Sequence, residues 1–376
     1  MGASRDLIVS ANDAKQVRAA GVDSFPDGVG ADTLTVIDAG ARPPRVLATV
    51  EVATSIVGPP QAVAISPDGR LAVVAATNHY DRSLHKLVFE NTLQVVDLNT
   101  APPNVDARID VGHHPQGLAF NHAGTLLLAA TNGGTVAVLA VEAGSVRLID
   151  RVQISAGRLA GVSFLPGGKA ALVALRDEQG VAVLDVNSLS VVDSGERVSS
   201  GVAPYAIDVD ARGAWAVVGN VGLAGLGGGA VARKGVLAGD ADSFTLIDIG
   251  SRPFRAVQHV TVPSIPEGVA ISPDGRWIAV LAMDGSNLPA SNPARRDRGR
   301  LQLFAIAGGH AERVSDVAAG ESAQGVVFTA DSRYVLAQFY VERQIALFEV
   351  NGGALLDTGI RIEVPGGPAS LRAMPR

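Results

Sequence analysis

Glu267, Tyr205 and three glutamines occupy equivalent places in a repeated phrase, and that placement is the first sign of chemistry. Seven times the chain passes through a proline or its stand-in, one variable residue, a small residue and an apolar stretch. The variable residue is Gln61, Gln116, Ala160, Tyr205, Glu267, Gln324 and Ala369 in turn. The residue two further on is always apolar: Val63, Leu118, Val162, Ile207, Val269, Val326 and Leu371. Polar side chains above an unbroken apolar ring would form a collar at the mouth of a cavity. Glu267 is the collar's only carboxylate and Tyr205 its only phenol, so they are the acid/base candidates. Gln61, Gln116 and Gln324 are candidate ligand-binding amides. The collar could equally be a set of side chains paired with one another and with trapped water.

Histidine is the side chain that most readily shuttles protons near neutral pH. Four of the seven histidines fall in two stretches, His79 and His85, then His113 and His114, with Asp81 and Glu90 nearby. His113 and His114 are further catalytic candidates, and His79 and His85 candidate ligand contacts. Their spacing matches no metal-binding pattern, so no metal is expected. Two segments are locally basic. Arg233 and Lys234 lack an acidic neighbour between 221 and 239, and Arg295, Arg296 and Arg298 outnumber Asp284 and Asp297. Guanidinium groups suit bidentate contacts to carboxylate or phosphate, so these five residues are candidate anion contacts, or simply a solvated surface.

Several other signals fail. The run GLGGGA at 225–230 lacks the strand–turn–helix setting of a dinucleotide site, and Arg233-Lys234-Gly235 lacks the hydroxyl residue of a phosphate loop. No G-x-S-x-G nucleophile elbow occurs. No cofactor is implied.

The elements that must position these residues are short strands. The stretch PQAVAISPDGRLAVVAATN, Pro60 to Asn78, reads as strand, Ser-Pro-Asp-Gly turn, strand, and returns as PEGVAISPDGRWIAVLAMD from Pro266 to Asp284. The turn positions Gly69, Gly124, Gly168, Gly213, Gly275 and Ser332 are 55, 44, 45, 62 and 57 residues apart. A unit of about 44 residues is one four-stranded propeller blade, with insertions in the longer intervals. A third-strand signature recurs seven times, as in TLTVIDAG (33–40), TLQVVDLN (92–99), GVAVLDVN (180–187) and SFTLIDIG (243–250). Its period-2 alternation marks half-buried strands. The N-terminus supplies second, third and fourth strands without a first, and PGGPASLRAMP near the C-terminus looks like the missing first strand. Joined, they close a ring.

The expected fold is therefore an all-β seven-bladed propeller in one domain. Its closing blade is 1–56 plus 365–376, followed by blades at about 57–111, 112–156, 157–201, 202–263, 264–319 and 320–364. Long second-to-third-strand connections at 12–31, 78–91, 220–242 and 284–299 would share a face with the collar, flanking it from two opposite sides. Long loops on one face of a rigid scaffold usually carry binding. The Ser-Pro-Asp-Gly turns would lie on the other face in a purely structural role.

Composition agrees. Of 376 residues, 47% are hydrophobic and 18% charged, which supplies a core and argues against disorder. The 43 glycines and 20 prolines fit many tight turns, and the absence of cysteine excludes disulfides and thiolate metal sites. A net charge of −6 argues against a nucleic-acid partner, and no apolar run is long enough to span a membrane as a helix.

The phrase P-x-G-V-A-I-S-P-D-G-R, followed by a strand ending Thr-Asn and then T-L-x-V-[IV]-D, resembles the YVTN-type, lactonase-like seven-bladed β-propellers over essentially the whole chain. That group includes sugar lactonases, muconate-lactonising enzymes and non-catalytic binding propellers. The resemblance implies either a metal-independent lactone hydrolase or a lyase/isomerase acting on a sugar acid or related carboxylate, or a ligand- or protein-binding module. One departure is visible: such enzymes tend to carry histidine early in an inner strand, where this chain has Gln61, Gln116 and Gln324. The resemblance also implies a periplasmic location. The start MGASRDLIVSAND has no apolar signal region and is equally compatible with the cytoplasm.

Overall fold

The computed structural model describes residues 6–222 and 240–375. They form seven four-stranded antiparallel sheets and two short hairpins. Blade 3 is typical, with strands A to D at Pro115–Phe120, Leu126–Thr131, Thr135–Glu142 and Ser145–Gln153, paired in chain order. The closing blade takes strand A (Gly367–Ala373) from the C-terminus. It pairs antiparallel with Leu7–Asp13, from Ile8 opposite Ala373 to Asp13 opposite Gly367. Every second, third and fourth strand then has its partner, and the ring has no open edge along its inner strands.

The core lies between blades. Leu7, Val9, Leu34 and Val36 of the closing blade pack on Val63, Ile65, Val74 and Val96 of blade 2. On the other side, Ile8 and Ile37 pack on Leu336, Ile345 and Leu347 of blade 7. A sheet covered on both faces reads as an apolar run, and Leu126–Thr131 is buried at every residue. Outer strands alternate instead, as Asn104–Asp110 does.

The Ser-Pro-Asp-Gly turns are built for shape. Ser66 Oγ donates to Asp68 at 2.6 Å and accepts from the backbone N–H of Arg70 and Leu71, and Ser272 repeats this with Asp274, Arg276 and Trp277. Gly69 supplies the left-handed φ of 70° that the turn needs. Ser332 holds the same conformation at 60°, its hydroxyl accepting from Asp274 N–H of the neighbouring blade.

Inner strands approach closely where the phrase has its small residue. A Cβ on Gly161 would lie 2.4 Å from Gln61 Oε1 and 2.6 Å from the Tyr205 carbonyl oxygen. The packing therefore fixes a glycine there and brings the variable residues of the collar together.

Candidate functional site

The D–A and B–C connections share one end of the channel, and their insertions join there. Residues 12–31 contain the hairpin Val17–Ala19/Val22–Ser24, and residues 78–91 the hairpin Asn78–Asp81/Lys86–Phe89. Phe25 stacks on Tyr80 at 4.1 Å with the rings 3° from parallel, and Arg82 pairs with Asp27 at 2.7 Å. At its other end the closing-blade hairpin abuts the blade 6 loop: a Cβ on Gly21 would lie 2.1 Å from the Leu288 carbonyl oxygen. The three described insertions thus form one continuous rim that crosses above blade 7. Sequence order placed them on opposite sides because it cannot show a hairpin reaching over its neighbour.

Under this rim Glu267 begins strand A of blade 6. The residue is half-buried, but its Oε2 is sealed from solvent and has no hydrogen-bond partner among the described residues. Burial pushes its pKa up to about 7, against the pull of Arg176 and Arg18. Arg176 follows strand B of blade 4. Its guanidinium lies 4.3 Å above the Tyr205 ring and donates to the Ala203 carbonyl at 2.8 Å. Burial, then the Glu267 charge, raises the Tyr205 pKa well above its ordinary value, so the phenol stays protonated.

Arg18 arrives from the closing-blade hairpin. Its Nε and Nη2 grip Asp23 at 2.7 and 3.0 Å, and Nη1 reaches Ser322 Oγ at 3.4 Å. Burial opposes its charge, but Asp23 more than compensates, with Tyr340 and Glu267 adding to the effect. Tyr340 lies beneath, donating its hydroxyl to the Gln16 carbonyl at 2.5 Å. The hairpin's base is anchored by Lys15, which pairs with Asp32 at 2.6 Å and Asp13 at 3.3 Å and donates to the Thr54 carbonyl. Two guanidiniums whose charges reach this carboxyl could hold an oxyanion while the carboxyl moves a proton beside it. Repeat position made Glu267 and Tyr205 candidates in the sequence, whereas no shared pattern singled out Arg18 and Arg176, which lie in connections.

The other candidates are placed differently. Gln61 spans the channel: its amide donates to the Ile207 carbonyl at 2.7 Å and accepts from the Ile207 N–H at 3.1 Å. Both ends are engaged, so Gln61 is a tie between blades 2 and 5. Gln324 donates to the Ser322 carbonyl at 3.0 Å. Gln116 is buried beside Gly58, with its oxygen 3.3 Å from where a Cβ on that glycine would sit.

The histidines do not converge. His114 is buried, with Nδ1 2.8 Å from the Glu90 carbonyl oxygen and its ring edge-on to Phe89 at 4.9 Å. Burial depresses its pKa despite Glu90, which keeps the ring neutral. His79 Nδ1 meets the Glu90 carboxylate at 3.0 Å, His113 is exposed against Gly133, and His85 is exposed at a hairpin tip with φ of 50°. Among the described residues no group of three or more histidine or acidic side chains could hold a metal.

The blade 6 arginines are largely committed. Arg295 binds Glu321 at 2.8 Å and the carbonyls of Ser286 and Leu288, pinning its own loop, and Arg296 pairs with Asp284 at 3.4 Å. The basic excess seen in sequence is offset by Glu321, which the next blade supplies. Arg298 is exposed and makes no ion pair with a described residue. Arg233 and Lys234 lie outside the described residues.

Two predictions follow from these contacts. Arg295→Gln should destabilise the fold by about 1–3 kcal/mol in urea titrations, because Glu321 and two carbonyls lose their donor. Glu267→Gln should stabilise it at alkaline pH. A carboxyl whose folded pKa lies above its unfolded one is neutral in both states at low pH. Its stability contribution is present there and is lost as pH rises from about 4.5 through about 7. The variant should therefore gain about 1–2 kcal/mol at pH 8 and nothing at pH 4, once solvent screening of the half-exposed residue is allowed for.

No protein-family model and no curated protein sequence matches the chain. Solved structures do. A candidate 6-phosphogluconolactonase from Bacteroides fragilis superposes with a TM-score of 0.72 at 15% identity, over 99% of both chains. One from Bacteroides uniformis gives 0.69 at 15%, over 99% of this chain and 100% of that one. The periplasmic gluconolactonase of Pseudomonas aeruginosa gives 0.65 at 18%, over 99% of both. At such identities the likeness concerns the fold alone: the chain is a seven-bladed β-propeller.

Proposed function

We propose that the protein hydrolyses the lactone of a small anionic sugar acid at the rim-covered end of the channel, without a metal. The observation that carries this reading is the Glu267 carboxyl, one oxygen of which is sealed from solvent and unpartnered among the described residues, with its pKa pushed up to about 7 by burial against the pull of Arg176 and Arg18. Arg18 is held by Asp23 through Nε and Nη2, and Nη1, whose contact to Ser322 Oγ is long at 3.4 Å, turns to the substrate's anionic group. Ionised Glu267 takes a proton from a water whose oxygen bonds to the lactone carbonyl carbon. Arg176, oriented by Ala203, faces the oxyanion that develops. As the ring C–O bond breaks, protonated Glu267 returns its proton to the departing hydroxyl. The product is the open-chain hydroxy acid, and the reverse sequence is lactonisation. Tyr205, protonated beside Arg176, donates to the substrate and does not act as a base.

The assay is acid release from a panel of aldonolactones, with and without phosphate. Turnover of at least one anionic member is expected, and Arg176→Met should reduce its kcat about 10²-fold. If one member binds and none turns over, the protein is a recognition propeller. The periplasmic location belongs to this same proposal, supported by the name of one structural neighbour. Recovery of the native protein in a cytosolic fraction would remove it.

A further inference from the structure

Gln324 holds a place in the collar that the proposed reaction leaves unused. It leads into strand A of blade 7 (Val326–Phe328), the neighbour of the strand that Glu267 begins. The two chains touch at that level: a Cβ on Gly268 would lie 2.6 Å from the Gln324 carbonyl oxygen and 3.0 Å from Val326 N. Side chains at this register enter the channel mouth, as Gln61 does in reaching the Ile207 backbone on the far wall.

Arg18 approaches the same residue from the rim. Its Nη1 contacts Ser322 Oγ at 3.4 Å, and the Gln324 amide is anchored to Ser322 as well. Gln324 Nε2 donates to the Ser322 carbonyl at 3.0 Å and to the Ala323 carbonyl at 3.3 Å. Only the NH₂ end of an amide can meet two carbonyls, so the orientation is fixed and both protons are spent. The backbone frame is held too. Gln324 N–H donates to the Gln338 carbonyl at 3.1 Å, and Gly325 N–H to Gln338 Oε1 at 3.0 Å. Gln324 Oε1 faces away from the two carbonyls and accepts from no described residue. The residue is 1% exposed, and a buried acceptor left without a donor is costly.

An oriented acceptor with no proton to give reads one kind of group, a donor. Gln324 stands between Arg18 and Glu267 in this chain of contacts. A molecule with its anion on Arg18 and its lactone at Glu267 therefore lies over it. On the hydrolytic reading, on which this inference rests, the donors such a molecule brings are its hydroxyls. We propose that Gln324 determines specificity: its Oε1 accepts a hydroxyl that the substrate carries between its anionic group and its lactone carbonyl. Hydroxylated lactones are taken, and otherwise matching lactones without hydroxyls are refused.

The test is calorimetric titration of the Glu267→Gln protein, which keeps both arginines and turns ligand over too slowly to disturb the reading. The probes are glucarolactone and galactarolactone, each with a carboxylate and free hydroxyls, and the lactone of hydroxyglutarate, with the carboxylate alone. At least one of the hydroxylated pair should bind about 10- to 100-fold tighter than the bare lactone. Gln324→Met in the same background keeps the length of the side chain without its acceptor. It should erase the preference by weakening the hydroxylated ligand, with the bare one nearly unchanged. Gln324→Leu serves the same purpose if thermal melts show that the Met variant has not folded. In the otherwise wild-type enzyme the substitution should raise KM and leave kcat little altered, the mark of a group bound alike in ground and transition states. The proposal is overturned if none of the three lactones binds, if all bind equally, or if the preference survives loss of the amide. A preference without turnover of any lactone would keep this role for Gln324 and remove hydrolysis. Equal hydrolysis of all three would do the reverse.

Discussion

Glu267→Gln should lower kcat for lactone hydrolysis by about 10²- to 10⁴-fold, the range that a positioned general base supplies, while leaving substrate affinity within a small factor. The amide keeps the shape of the side chain and cannot take a proton from water. Arg18 and Arg176 remain, with their anchors Asp23 and Ala203 intact, so the anion is still held. The split between kcat and binding is the informative part. A loss of affinity equal to the loss of rate would make Glu267 a binding group. Unchanged turnover would remove it from the mechanism. Substituting His113 or His114 should leave kcat near wild type, since His114 is neutral and occupied by Glu90, and His113 faces solvent.

The second large effect concerns ring closure. A chain ending at Val364 loses the strand Gly367–Ala373 and exposes the inner edge of Leu7–Asp13. It also uncovers the face of blade 7 on which Leu371 and Ala369 pack. Leu371→Ala alone should cost about 2–4 kcal/mol, because the residue is 1% exposed and the surrounding strands cannot collapse into the gap. Complete removal should abolish the cooperative urea transition and promote edge-to-edge association. Joining the two chain ends and opening the chain between the exposed Asn351 and Gly352 should restore the transition, because the closing strand is then still present. If the truncated chain melted cooperatively near the wild-type midpoint, closure would not be what holds the ring.

The fold was legible because the same physics is written seven times. Alternating third strands, apolar second strands and Ser-Pro-Asp-Gly turns each specify their structure locally, and the hydrogen bonds of Ser66 and Ser272 are the expected ones. The collar was legible in part, since equivalent positions on inner strands must meet at one mouth. What each collar residue does there was not. Gln61 is satisfied by a backbone 146 residues away, and Arg295 by a glutamate in the next blade, so neither partner shows in local spacing. Conversely, His113 and His114 are adjacent in the chain but point into different surroundings, one to solvent and one to the Glu90 carbonyl. Arg18 stood out least. Its role comes from a hairpin folding back over blade 7 to Ser322, which only the assembled rim brings near Glu267.

The central claim is that one carboxyl at the channel mouth is held ready to exchange a proton near neutral pH. Infrared difference titration of wild type against Glu267→Gln measures it directly, because only the wild type carries that carboxyl band. The account predicts that the protonated band disappears with a midpoint near pH 7, the value to which burial, opposed by the Arg176 and Arg18 charges, brings Glu267. A midpoint near the ordinary glutamate value of about 4.3 would contradict it.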